Sequence, residues 1–170
     1  MSRIPFVTNG VMQFHHSRGT YQEEITIMAR VEKATTVNAT VENVFDYLAQ
    51  PTNLPEIWPS LVENTDVQPL PNGGNSYHWV YKMAGMHFKG RSEDIEHVAN
   101  ERIVTKTTGG IQSTITWTLQ PEVGGTKVTF DAEYTVPIPL LGRLAEAFIV
   151  RQNEHEAELL LANLKARMEA

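Results

Sequence analysis

Tyr77-His78-Trp79-Val80-Tyr81-Lys82-Met83-Ala84-Gly85-Met86-His87-Phe88-Lys89-Gly90-Arg91-Ser92 is the stretch that decides the fold. Strand side chains alternate between two faces, so Tyr77, Trp79, Tyr81 and Phe88 share one face, while His78, His87 and Arg91 take the other. Met83-Ala84-Gly85-Met86 reads as a two-residue turn that sets Met83 opposite Met86. Counting outward pairs Tyr81 with Phe88, Trp79 with Gly90 and Tyr77 with Ser92. A glycine opposite a tryptophan leaves room for the indole, so the register is self-consistent.

The same logic reads the later strands. Glu122-Val123-Gly124-Gly125 is expected to form a four-residue loop. It pairs Leu119 with Val128, Trp117 with Phe130, Ile115 with Ala132 and Ser113 with Tyr134. Gln112, Thr114, Thr116, Thr118, Lys127, Thr129, Asp131 and Glu133 then face outward, and a one-residue slip would invert every position. Between the two hairpins, a loop at Thr108-Gly109-Gly110 would put Ile103, Thr105 and Thr107 on the aromatic face. Strict alternation carries Asp94 inward, whereas Ile95 is the better core residue by type. A bulge near Glu93 is therefore expected.

Working outward, Ile25 to Val37 alternates as a strand. Thr40 offers a helix N-cap, and Val41, Val44, Phe45 and Leu48 make one helical stripe. Pro51 ends that helix. Asn53 to Trp58 is expected to add another helical turn, and Leu61 to Leu70 a strand. Pro137 and Pro139 break the last strand, and a long helix follows to about Met168. Its apolar pattern has two phases. One is Leu141, Leu144, Ala145 and Phe148; the other is Ala157, Leu160, Leu161, Leu164 and Met168, with polar Arg151 to Glu156 between them. A kink, or a first half buried on a different side, would reconcile the two.

Composition narrows the function. The chain has 170 residues, enough for one domain with a real core. It has no cysteine, which excludes disulfides, thiolate metal sites and cysteine nucleophiles. A net charge of −6 with thinly spread Lys and Arg argues against nucleic acid. No apolar run approaches the roughly 20 residues that span a bilayer, so no stable membrane insertion is expected. Residues 1–23 read as a loosely ordered extension with a short edge strand around Val11 to Phe14, followed by a single domain over residues 24–170. No signal peptide is read at the N-terminus, and a cytoplasmic monomer or homodimer is expected. His15-His16 reads as a solvated pair, and neither a cofactor nor a metal is expected.

The order strand, two short helices, antiparallel strands and one long C-terminal helix comes with several short phrases. These are Asn38-Ala39-Thr40-Val41-Glu42-Asn43-Val44-Phe45, Asn53 to Trp58 with its single Trp, Gly124-Gly125-Thr126-Lys127-Val128, and Ala162-Asn163-Leu164-Lys165. From Val31 to Met168 the chain resembles the polyketide cyclase/dehydrase branch of the START-like (SRPBCC, Bet v 1-like) superfamily. That resemblance implies an α+β helix-grip fold, in which a curved antiparallel sheet wraps a long C-terminal helix and two short helices close one end. It also implies a cavity for hydrophobic molecules such as lipids, quinones or polyketides. Fold alone does not assign function, because the superfamily holds carriers, receptors and enzymes.

The expected ligand-binding set is Tyr77, Trp79, Tyr81, Phe88, Ser92, Ser113, Ile115, Trp117, Phe130, Tyr134, Phe148 and Gln152. Each aromatic ring can bury about 150–250 Å², so these residues serve a core, a ligand or both. The sheet offers hydroxyls but no base, and an unassisted Ser or Tyr is a poor base at neutral pH. A catalytic base must then come from the long helix: Gln152 and His155 face the cavity in one phase, Asn153 or Glu154 in the other. His155 is the candidate catalytic residue, and His97 a further one if the bulge shifts its strand. The leading expectation is a non-catalytic carrier or sensor of a hydrophobic small molecule. A polyketide cyclase/dehydratase and a protein-interaction module are the alternatives.

Overall fold

A computed structural model describes residues 10–11, 26–83, 85–137 and 145–170, with side chains described at 28–83, 85–135 and 152–170. Strand β1 is Gly10–Val11 and β2 is Thr26–Val37. Helix α1 (Val41–Leu48) starts at Thr40, whose hydroxyl accepts from the Asn43 N–H at 3.3 Å. Val44, Phe45 and Leu48 are its buried stripe. Pro51–Asn53 forms a single 3-10 turn, and α2 (Leu54–Ile57) follows. Then come β3 (Leu61–Pro69), β4 (Asn75–Met83), β5 (Met86–Val98), β6 (Arg102–Gly109), β7 (Gln112–Glu122), β8 (Gly125–Pro137) and α3 (Ala145–Met168).

The strands form one antiparallel sheet in the order β1-β2-β8-β7-β6-β5-β4-β3. Among the described residues, only the β2–β8 contact joins strands distant in sequence, and it runs from Thr26↔Pro137 to Val37↔Thr126. Both tight hairpins take the registers that parity predicts, Trp79↔Gly90 and Trp117↔Phe130 among them. The β7–β8 ladder extends to Glu122↔Gly125, so its turn is shorter than a four-residue loop. The β6–β7 turn lies further along than Thr108–Gly110, since Thr107 pairs with Ser113. That two-residue change preserves parity, and Ile103, Thr105 and Thr107 are all buried.

Ile95 does not enter the core. It is 54% exposed, whereas Asp94 is 4% exposed. The ladder to β6 shifts between Asp94 and Glu96, so the bulge follows Asp94 instead of displacing it. Hydrogen bonds hold the carboxylate inward: the Thr105 hydroxyl donates at 2.7 Å and the Asn75 N–H at 2.8 Å. Gly74 gives it space, because a Cβ there would lie 2.5 Å from the Asp94 Cβ.

Helix α3 runs through Arg151 to Glu156 as one helix. Its second apolar phase, Ala157, Leu160, Leu161 and Leu164, packs into one cluster with Val31, Val128, Trp117 and Phe130. The side chains of the first phase, Phe148 among them, lie outside the described residues. So does most of the N-terminal extension, where Gly10 and Val11 pair with Ala29 and Met28 at the sheet edge. Near the other end of α3, the Asn163 amide donates to the Ile57 carbonyl at 3.0 Å, tying α2 to the long helix. A second, smaller cluster of Trp79, Met83 and Phe88 sits apart from the first.

Candidate functional site

Between the two clusters lies a cavity. About 110 Å³ of it is open to the centres of water-sized molecules, well above the roughly 10–15 Å³ that one water requires. Its walls draw on both clusters: Trp79 and Met83 on one side, Trp117, Phe130, Ala132 and Leu160 on the other. All three tryptophans of the chain line it. Trp58, at the end of α2, meets Phe130 edge-on at 5.4 Å and Tyr81 at 6.2 Å. Trp117 and Phe130 stack tilted at 4.9 Å.

The polar lining is ordered by the sheet. Tyr77, Ser92, Thr107, Ser113 and Tyr134 stand directly opposite one another across β4, β5, β6, β7 and β8, giving a transverse row of hydroxyls. All five line the cavity. Thr107 and Ser113 share a hydrogen bond of 2.7 Å, and the Asn153 amide donates to the Tyr134 hydroxyl from α3. Two buried polar atoms on lining residues, Trp79 Nε1 and Asn64 Oδ1, find no partner among the described residues.

Glu156 is the one carboxylate on the wall, and no Lys, Arg or His joins it among the described residues. It is 7% exposed. The Tyr81 hydroxyl donates to one of its oxygens and the Ser60 N–H donates to the other at 3.0 Å. Burial pushes the Tyr81 hydroxyl far above the usual phenol range, and the adjacent Glu156 carboxylate pushes it the same way. Burial also raises Tyr77 and Tyr134; nearby Asp94 adds to the first, while the Asn153 contact opposes the second. All three phenols therefore stay protonated at neutral pH and can donate hydrogen bonds.

Nine residues of the expected binding set line the cavity: Tyr77, Trp79, Tyr81, Ser92, Ser113, Ile115, Trp117, Phe130 and Tyr134. Phe88 is buried in the smaller cluster and is not part of the lining. Gln152 is half-buried outside the lining, and the Phe148 side chain is not described. His155 points away, onto the exposed face of α3. His97 packs edge-on against Phe45 at 5.1 Å, also outside the lining. Of the pair expected from the second phase, Asn153 faces the cavity and Glu154 is exposed, and Glu156, not expected there, joins Asn153 on the wall. Stepping back four residues from Ala157 and Leu160 reaches both, so the second apolar phase carried the signal for Glu156.

The family model for polyketide cyclase / dehydrase and lipid transport matches residues 28–169. The chain belongs to this family. The chain's fold recurs in solved structures that it resembles at low identity. A START superfamily protein from Mycobacterium smegmatis is 16% identical, with 82% of this chain and 97% of that one covered and a TM-score of 0.69. The Zhui aromatase/cyclase from Streptomyces sp. R1128 is 15% identical over 84% of this chain and 94% of its own, with a TM-score of 0.71. The di-domain ARO/CYC StfQ from the steffimycin biosynthetic pathway is 19% identical, with 84% of this chain and 51% of that one covered and a TM-score of 0.68. No curated protein matches the chain. Among the described residues no helix is long and apolar enough to cross a membrane. Nor do three or more His, Asp or Glu residues there gather where they could hold a metal ion.

Proposed function

We propose that the chain binds a hydrophobic, ring-containing small molecule in the cavity between the sheet and α3, as a carrier or sensor. The observation that carries this reading is the wall itself. Trp79, Trp117, Phe130 and Leu160 face a space left unfilled where a packed interior would hold side chains. Burial of apolar ligand surface supplies the driving force, and the transverse hydroxyl row orients polar substituents. Native mass spectrometry of freshly purified protein tests the reading directly, through the mass of any co-purifying molecule. With that molecule in hand, Trp79→Ala or Phe130→Ala is expected to weaken binding by more than about tenfold. Unchanged affinity in a variant shown to be folded by circular dichroism would remove this wall as the site.

A second reading, a cyclase or dehydratase acting on a polyketide-like substrate, is favoured by one observation. Glu156 places a carboxylate on an apolar wall, oriented by the Tyr81 hydroxyl, in the position a general base would take toward a substrate in the cavity. The structures with aromatase/cyclase names share the fold. Glu156→Gln is expected to abolish turnover of a poly-β-ketone, and His155→Ala to leave it intact. Turnover surviving in Glu156→Gln would end the assignment.

A further inference from the structure

Glu156 is unusual for its surroundings: a buried carboxylate on a wall otherwise built of rings, aliphatic groups, hydroxyls and the amides of Asn64 and Asn153, with no cation beside it among the described residues. Tyr81 and Ser60 supply one donor each. A carboxylate can accept about four hydrogen bonds, so acceptor capacity remains. In a low-dielectric space its charge acts strongly on whatever enters.

We propose that the cavity is charge-selective. Glu156, held by Tyr81, is the polar anchor for a ring compound that offers a hydroxyl, and it turns away ligands with an acidic head group such as fatty or aromatic acids. An alcohol or phenol brings the donor that the carboxylate lacks. An acid brings a second anion to a site with no cation to receive it, and that arrangement is disfavoured. This inference rests on the binding reading above and adds the chemical class of the ligand.

Isothermal titration calorimetry at neutral pH with naphthalene, naphthalenemethanol and naphthoate tests it on the full chain. The alcohol is expected to bind about tenfold or more tightly than the acid. Any apolar pocket disfavours a charged ligand to some degree, so Glu156→Gln is the deciding variant. Its amide can donate to a carboxylate, and the ratio is expected to fall to within about threefold. Tyr81→Phe keeps the carboxylate and is expected to keep the preference, which gives a second check should the first variant not fold. Equal binding of acid and alcohol by the wild type, an undiminished ratio in Glu156→Gln, or loss of the preference in Tyr81→Phe would each overturn the proposal. If naphthalene binds and the alcohol gains nothing over the acid, only the charge selectivity falls. If none of the three binds, the cavity-binding reading falls and takes the selectivity with it.

Discussion

Asp94 shows how a charged residue keeps an inward place on a strand. By residue type Ile95 is the better core residue, yet Asp94 is buried and Ile95 is exposed. The partners that decide this, Thr105 on β6 and the Asn75 N–H at the start of β4, come from elsewhere in the chain. No local pattern displays them. Desolvation is the largest influence on Asp94 and raises its pKa above the ordinary 3.8, against the opposing hydrogen bonds from Thr105 and Asn75. A carboxyl raised in the folded state contributes stability that is complete below its unfolded value and is lost as the pH climbs through the folded one. Asp94→Asn removes that dependence. Urea denaturation of both proteins across mildly acidic pH should therefore show the wild type losing more stability than the variant as the pH rises from about 4 toward neutrality. Parallel curves would mean that Asp94 titrates alike in both states.

At the scale of elements, the hairpins were the most legible part of the chain and α3 the least. Period-two alternation and turn glycines place β4 against β5 and β7 against β8 residue by residue, because a slip would turn the whole aromatic set to water. Gly90 is the sharpest case. A Cβ at this position would lie 2.0 Å from the Thr108 carbonyl oxygen and 2.4 Å from the Trp79 indole. Gly90→Ala is thus expected to cost about 1–3 kcal/mol in urea-induced unfolding, since neither the backbone nor the trapped ring can retreat freely. Stability equal to wild type would show that the indole has another resting place. Helix α3 carries two apolar phases, and a stripe does not say which neighbour it faces. Only the sheet's position selects the Ala157-Leu160-Leu164 phase over the described part of the helix, and with it Asn153 and Glu156 in place of His155. The order of elements and the family were readable from short phrases. The acidic anchor was hidden in a polar run where most charged residues face solvent.

Across the whole molecule, the described apolar residues of the sheet gather with α3 and the short helices around one cavity. The buried residues form two clusters, Leu61 and Tyr134 pack against both, and the cavity is lined from each. Parity alone could place the rings on one face; whether they would meet each other or leave a void depends on how far the helix sits from the sheet, which no spacing of residues encodes. Trp58, Trp79 and Trp117 are the only indoles in the chain, and each borders that void. Intrinsic emission is accordingly a built-in gauge of what the chamber holds. Entry of a guest should alter the colour and yield of all the light this protein gives out under tryptophan excitation, with no dye attached and no silent background to subtract.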